Sequence, residues 1–505
     1  MLNYDVIIIG SGLGGLVCGA ILSQNGYRVC IYEKNRQVGG CLQTYSRDKV
    51  IFDSGVHYIG GLAPGENLYK VFKYLGIYDE LRLKRMDIEG FDHVNFAGDP
   101  KVYRLAQGEE NFVRTLLEDF PEEEAALRAY CSKITEVCNK FPLYNLRTGA
   151  YEEKKQVLHL NTADYLSSIT NNKKLQQVLA GNNLLYAGVA DKTPFYVHAL
   201  VVNSYMKSAW KCVDGGSRIG KLLCRRIREN GGEIIRNMAV TAIQGQGDQV
   251  NHLVLQDGSK VQATHYISNL HPAQTIAITH SDMLRGAYRN RVQGLQNSTG
   301  AFVLNVVLKP GTFKYLNHNY YYHASSNAWA GVEYKEEEWP QTYAMYVAAS
   351  SSHETYADSL SVMTYMRYEE LQPWQHTFNT ERQPGYRGAD YEAFKTKKAE
   401  LLIRQVEQQF PGFRDCIQSY YVATPLSYRD YIGTSDGSMY GILKDSTDPL
   451  RTMVSARTKL SNLYLTGQNL NLHGILGVTI SSVITSAELL GMDFLVDAIN
   501  QSIPT

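Results

Sequence analysis

Residues 4 to 33 hold the chain to one local topology. Tyr4-Asp5-Val6-Ile7-Ile8-Ile9 is apolar and β-branched with no helical gap, as expected of a parallel strand buried on both faces. Gly10-Ser11-Gly12-Leu13-Gly14-Gly15 follows directly. Leu13, Leu16, Val17, Ala20 and Ile21 then recur at helical spacing and predict one apolar stripe that packs on a sheet. Gly26 is placed to cap that helix, and Arg28 to Glu33 reads as a second strand. A strand, a glycine turn, a helix and a second strand ending in an acidic residue make a βαβ unit that binds a dinucleotide. Gly10 permits the tight turn, Gly12 lets backbone approach a pyrophosphate, and Gly15 lets helix and strand pack closely. The helix N-terminus supplies the positive field that phosphate oxygens require. Glu33 is placed to accept both ribose hydroxyls of an adenosine, which favours an unphosphorylated ribose.

Length and charge bound the rest. The 505 residues are enough for two or three domains, and 44% apolar content is that of a globular protein. Lys plus Arg equals Asp plus Glu at 50 each, so there is no basic field to attract nucleic acid and no polybasic membrane patch. Cysteines at 18, 30, 41, 131, 138, 212, 224 and 416 form no Cys-x-x-Cys pair and no metal-ligand spacing, which fits a reduced compartment and no metal. The first strand begins within a few residues of Met1, leaving no room for a secretory signal, and no apolar run reaches membrane-spanning length. The expectation is a cytoplasmic protein, with peripheral membrane association left open; the oligomeric state is not readable.

Which dinucleotide binds is decided further along. After Glu33 come Val38-Gly39-Gly40-Cys41-Leu42-Gln43-Thr44-Tyr45 and Ile51-Phe52-Asp53-Ser54-Gly55-Val56-His57-Tyr58-Ile59-Gly60-Gly61. These resemble the second signature of the flavin amine oxidase and phytoene desaturase superfamily. Near the C-terminus, Asn462 to Asn469 reads as a strand ending in a polar turn at Gly467-Gln468. Gly474-Ile475-Leu476-Gly477-Val478 then leads into a helix with Ile480, Val483, Ile484 and Ala487 on one face. That pattern looks like the superfamily's closing FAD motif. Gly-Gly-Cys-Leu-Gln-Thr-Tyr and Phe-Asp-Ser-Gly-Val-His-Tyr-Ile-Gly resemble the retinol saturase branch most, because phytoene desaturases and amine oxidases usually carry Arg where this chain has Cys41. Two departures are Asn469, where relatives often carry an acidic residue, and Asn35, where many carry Arg.

The resemblance implies an α/β protein with a discontinuous Rossmann-type FAD-binding domain, residues 1–80, 205–275 and 455–505, and a mixed α+β substrate domain, 81–204 and 276–454. Val213-Asp214-Gly215-Gly216 precedes a helix, and Asn230-Gly231-Gly232 begins the next strand. A hairpin of Val250 to Leu255 with Lys260-Val261, turned at Asp257-Gly258, returns the chain to the FAD domain through Ser268-Asn269. Residue by residue, the resemblance assigns the FAD contacts to Gly10, Ser11, Gly12, Leu13, Gly14, Gly15, Glu33 and Lys34. It adds Gly39, Gly40, Cys41, Asp53, Gly55, Val56, His57 and Val240, and at the closing end Gly467, Gln468, Gly474, Gly477 and Val478.

It further implies hydrogen transfer at a carbon-carbon double bond of an apolar, conjugated substrate such as a retinoid or carotenoid, with saturation favoured and desaturation or isomerisation as alternatives. No second Gly-x-Gly-x-x-Gly follows a strand, so reduction would draw on NAD(P)H visiting the flavin or on another electron donor. An amine oxidase is a further alternative. So is a prenyl- or lipid-binding protein with the similar fold of Rab dissociation inhibitors, although Glu33, Gly39, Gly40, Gly467 and Gln468 speak for FAD. The substrate segments offer composition rather than a constellation. Tyr occurs 36 times, clustered at Tyr320 to Tyr322, at Tyr343 and Tyr346, and at Tyr420 and Tyr421, as aromatic walls for a polyene or as core. His57 is the catalytic candidate, in proton exchange or in recognition of a substrate end, against a structural role donating to a backbone carbonyl. His473 has a weaker case of the same kind.

Overall fold

A computed structural model describes residues 4–351 and 355–502; the outermost ends of the first and last FAD-domain segments lie outside these. Five parallel strands form the sheet that the opening residues demand, in the order Glu233–Ile235, Val29–Tyr32, Tyr4–Ile9, Ala263–Ser268, Leu463–Leu465. Its strands thus come from both ends and the middle of the chain. Val6, Ile7 and Ile8 have no exposed surface, because helices cover one face of the sheet and a smaller sheet covers the other.

The helix Leu13–Gln24 does not present a single apolar stripe. Every residue from Leu13 to Ser23 is buried, including Gly14, Cys18 and Gly19. The reason is its position between the sheet, the helix Ser217–Glu229 and the closing helix Gly474–Leu490, so that no side reaches solvent. Close approach is built in at Gly19, where a Cβ would stand 2.8 Å from Ile31 and 3.1 Å from Ile227.

The hairpin of Gln249–Leu255 and Lys260–Val261 forms as expected, but the first strand's longer partner is Val240–Gln246, turned at Gly247 and Asp248. These strands and Thr279–His280 make the small sheet. A seven-stranded sheet organises the other part, in the order Ile417–Ala423, Gly300–Leu308, Ser359–Met366, Thr342–Val347, Asn319–His323, Asp92–Phe96, Val102–Leu105. It is antiparallel except where Asn319–His323 runs parallel to Asp92–Phe96. Every residue of Gly300–Leu308, Thr342–Val347 and Ser359–Met366 is buried.

Alternation along these strands sorts the tyrosines. Tyr320, Tyr322 and Tyr343 face the core that includes Leu402 and Val406 of the helix Ala389–Gln409. Tyr321, Tyr346, Met363 and Tyr365 face the opposite core, built with helices between residues 109 and 207. Tyr346 and Met363 of this second face line a cavity together with the glycine turns at the ends of the five-stranded sheet.

Candidate active site

The site begins where strand ends, glycine turns and two helix N-termini converge. Gly10 leaves the first strand at φ +92°, a conformation only glycine adopts cheaply, and its N–H donates to Tyr32 carbonyl at 2.8 Å. A Cβ on Gly15 would lie 2.1 Å from the Gly10 carbonyl oxygen, so helix and turn touch there backbone to backbone. Gly12 opens the helix without a side-chain cap, leaving its first N–H groups for a ligand. Gly39 and Gly40 sit at φ +112° and +56° and bring the second loop against this turn: Gly39 N–H donates to Ser11 carbonyl at 2.9 Å, and a Cβ on Gly40 would lie 3.1 Å from Gly12 Cα.

The closing segment enters from the other side. A Cβ on Gly14 would stand 3.1 Å from Gly467 Cα, so the two ends of the chain meet across glycine backbone. Gly474, at φ +76°, starts the closing helix, which also lacks a side-chain cap. Two uncapped helix N-termini therefore open on one cavity of about 350 Å³.

Of the residues assigned to cofactor from sequence, Gly10, Gly12, Leu13, Gly14, Glu33, Lys34, Gly39, Gly40 and Cys41 line this cavity. So do Gly55, Val56, His57, Val240, Gly467, Gln468, Gly474, Gly477 and Val478. Three do not. Ser11 turns its N–H and hydroxyl onto Glu33 Oε2, at 2.9 and 2.6 Å, and so fixes the carboxylate instead of forming the wall. Gly15 lies behind, against Gly10. Asp53 ends the hairpin Thr44–Arg47/Val50–Asp53, accepts the Gly216 N–H at 2.7 Å, and faces a neighbouring cleft of about 950 Å³. Burial lifts the Asp53 carboxyl to about 7 against the pull of that hydrogen bond, so its role is to brace the helix start at Ser217.

Glu33 holds the place expected of it at the end of the second strand, with Oε1 accepting the Asn35 N–H at 2.8 Å. Lys34 donates through Nζ to the Asp430 carbonyl at 3.1 Å, and burial pulls its ammonium down. Burial pushes the Cys41 thiol up to about 11, which leaves it unreactive. Both departures from the family pattern have structural partners. Asn35 Nδ2 donates to Tyr431 carbonyl at 3.1 Å, and Asn469 Oδ1 accepts the Ile442 N–H at 3.1 Å.

His57 lies flat on Tyr346, with ring centroids 4.3 Å apart and planes 3° from parallel. Among the described residues no carbonyl accepts from it, so the structural role weighed for it does not apply. Burial depresses its pKa to about 4, and the ring is neutral near pH 7. His473 does take the structural role: its Nε2–H donates to Leu185 carbonyl at 2.7 Å at the start of the closing helix.

Sequence reasoning missed Asn269. A Cβ on Gly12 would lie 2.7 Å from its Nδ2, and one on Gly14 or Gly467 would lie 2.4 or 2.8 Å from its Oδ1, so this amide sits in the middle of the glycine cradle. Its position just past the C-terminal end of a parallel strand was the available signal. Also unassigned were the apolar and aromatic walls away from the glycines, among them Leu185, Tyr205, Tyr346, Met363 and Tyr440. No local motif marks them. A second apolar cavity of about 290 Å³ shares Leu200, Leu472, Leu476 and Gly477 with the first. Among the described residues no helix is long and apolar enough to cross a membrane.

The glycine cradle, the fixed acidic residue and the paired helix N-termini fit a flavin dinucleotide. Two helix starts without side-chain caps open on the cavity, and glycines leave room between them, as a dinucleotide's phosphates require. Residues 8–75 match the model of an NAD(P)-binding Rossmann-like domain. Cyclohexylamine oxidase from Brevibacterium oxydans has the same fold, with a TM-score of 0.62 at 13% identity, covering 99% of this chain and 100% of that one. That likeness defines the fold. In sequence, the chain resembles all-trans-retinol 13,14-reductase of Danio rerio, 25% identical over 96% of this chain and 87% of that protein. It is also 25% identical to the chloroplastic prolycopene isomerase of Daucus carota, over 95% of this chain and 79% of the relative.

Proposed function

We propose that this chain is a FAD-dependent oxidoreductase that saturates a carbon-carbon double bond of an apolar, conjugated substrate of retinoid or carotenoid type. One observation carries the reading: likeness to a retinol reductase runs through nearly the whole chain, the substrate-facing half included. A cavity that passes from glycine backbone to leucine, methionine and tyrosine walls supports it, because a polyene offers only apolar and π surface to bind.

The adenosine end would rest at Glu33 and Lys34, the phosphates at Gly10 to Gly14 and Gly39-Gly40, and the ring system toward Gly474 to Val478 and the His57–Tyr346 stack. When bound, FAD supplies a hydride to one carbon of the double bond. The protein's part is to exclude water, hold the polyene against its aromatic wall and deliver a proton to the other carbon. NAD(P)H is the proposed electron source.

The similarity to prolycopene isomerase favours isomerisation as the second reading. Product mass separates them. Incubated anaerobically with NADPH and either all-trans-retinol or a carotenoid, a saturase returns a product heavier by two hydrogens, whereas an isomerase returns one of unchanged mass and altered retention. Loss of two hydrogens under an oxidising acceptor would identify a desaturase.

A further inference from the structure

We propose that the buried Tyr58 hydroxyl, held between the carboxyl of Asp92 and the hydroxyl of Tyr321, delivers the proton that the saturation consumes, with Asp92 as its source; this rests on the function proposed above. Asp92 opens its strand with no exposed surface. Its carboxylate accepts from Asn319 Nδ2 at 2.8 Å, Asn182 Nδ2 at 3.3 Å and the Tyr58 hydroxyl at 3.1 Å. The hydroxyls of Tyr58 and Tyr321 are 2.8 Å apart, and either can donate. Tyr321 stands edge-on to Tyr346, centroids 6.3 Å apart, and burial holds the Tyr346 hydroxyl well above its ordinary value. Tyr58 lines the cavity whereas Asp92 and Tyr321 do not, so the Tyr58 hydroxyl joins a sealed carboxyl to the cavity wall.

A purely structural role explains this poorly. Asp92 and Asn319 are register partners on adjacent strands, and pinning strands together needs no carboxylate. Sealing an ionised carboxylate without a cation costs several kcal/mol. Lys211, which pulls the carboxyl down, makes no ion pair with it and donates its Nζ protons to Leu316 and Val347 carbonyls at 2.8 and 2.9 Å. Asn182 Oδ1 and Asn319 Oδ1 are buried without partners, so acceptors outnumber donors around the carboxyl. Burial lifts Asp92 to about 7, where it can both hold and release a proton. Lys211, Tyr205, Tyr321 and Tyr346 are the other titratable groups facing the pair, and neutral His57 stacks on Tyr346.

In turnover, alongside the hydride that reaches the first carbon, the Tyr58 O–H bond breaks and a C–H bond forms at the second carbon. Asp92 then donates to Tyr58 and is left ionised until a proton from solvent returns to it through Tyr58 at the cavity wall. NAD(P)H restores the electron pair.

The test uses flavin-loaded protein with all-trans-retinol as probe. Wild type should saturate it in D₂O with one solvent deuterium in the product and a solvent isotope effect, at a rate that falls as pH rises through about 7. Tyr58→Phe and Asp92→Asn should each slow the single turnover at least about tenfold with flavin content unchanged, and Asp92→Asn should lose the pH step. Independently of turnover, the infrared carbonyl band of a protonated carboxyl should titrate near neutrality in wild type and be missing in Asp92→Asn. Tyr58→Phe leaves the contacts of Asp92 with both asparagines in place, so it tests the relay if Asp92→Asn misfolds. If wild type saturates retinol while these variants match it, or the band is absent, the relay falls and the functional reading stands. If wild type returns retinol unchanged, the functional reading falls and the relay's role in saturation falls with it.

Discussion

His57 and Tyr346 lie face to face, 4.3 Å between centroids, one from the loop after the hairpin at Asp53 and the other from the seven-stranded sheet. The stack joins the loop that follows the hairpin of residues 44–53 to the seven-stranded sheet at the cavity wall. His57 works there as a flat neutral ring, so His57→Phe should keep wild-type stability and flavin content, while His57→Ala should lose about 0.5–1.5 kcal/mol with weaker flavin retention. Because its folded pKa of about 4 lies below the unfolded value, the unfolded chain binds a proton that the native state refuses as pH falls from about 6.5 to 4. His57→Phe should therefore flatten part of the acid limb of a Tm-versus-pH curve and leave Tm above pH 7 unchanged.

Gly15 tests the cradle without touching its wall. Ala at this position puts a methyl group 2.1 Å from the Gly10 carbonyl oxygen, a backbone atom that cannot rotate away. Gly15→Ala should cost about 1–3 kcal/mol or more in denaturant unfolding and lose flavin as the turn shifts. Gly231→Ala meets nothing within 4 Å and bears only the strain of φ +80°, so its cost should be about 1–2 kcal/mol with flavin retained.

Asp53 gives a pH dependence of opposite sense to His57. Its carboxyl is raised to about 7, so relative to the unfolded chain it costs stability above about pH 4; the cost grows until pH 7 and is constant beyond. Asp53→Asn keeps an acceptor for the Gly216 N–H. The variant should melt above wild type at pH 8, with the gap closing as pH falls toward about 4.

Asp430 is fully buried and accepts from Arg429 Nε at 2.7 Å, from the Asn379 N–H at 2.8 Å and from Arg387 Nη2. It anchors the helix that carries Tyr428 and Tyr431 to the cavity. Asp430→Ala strands two guanidinium groups and should cost about 3–5 kcal/mol by urea unfolding.

The cradle was legible because each of its requirements leaves a mark on a few adjacent residues. Close approach shows as glycine at Gly12, Gly14 and Gly40, a left-handed turn as Gly10 and Gly39, and a helix start as Gly474. The place of Asp53 is not legible, because Asp-x-Gly reads alike whether the carboxylate faces a cofactor or accepts, as it does here, a backbone N–H at the start of the next helix. The helix Leu13–Gln24 was read as one-sided because its small residues Gly14, Cys18 and Gly19 look polar-neutral in a periodic pattern, yet they are what let three elements pack around it. The substrate wall was not legible. Tyr346 and Met363 come from strands buried on both faces, where inward and outward residues are equally apolar, and the Asp92 network joins residues from four separate segments.

The most direct test of the account is the fate of the reduced flavin. Purified protein, reduced anaerobically with NADPH and mixed with all-trans-retinol, should reoxidise one flavin per chain and yield one equivalent of product two hydrogens heavier. A protein that carries no flavin, or whose reduced flavin is reoxidised by oxygen while retinoids and carotenoids are returned unchanged, would contradict it.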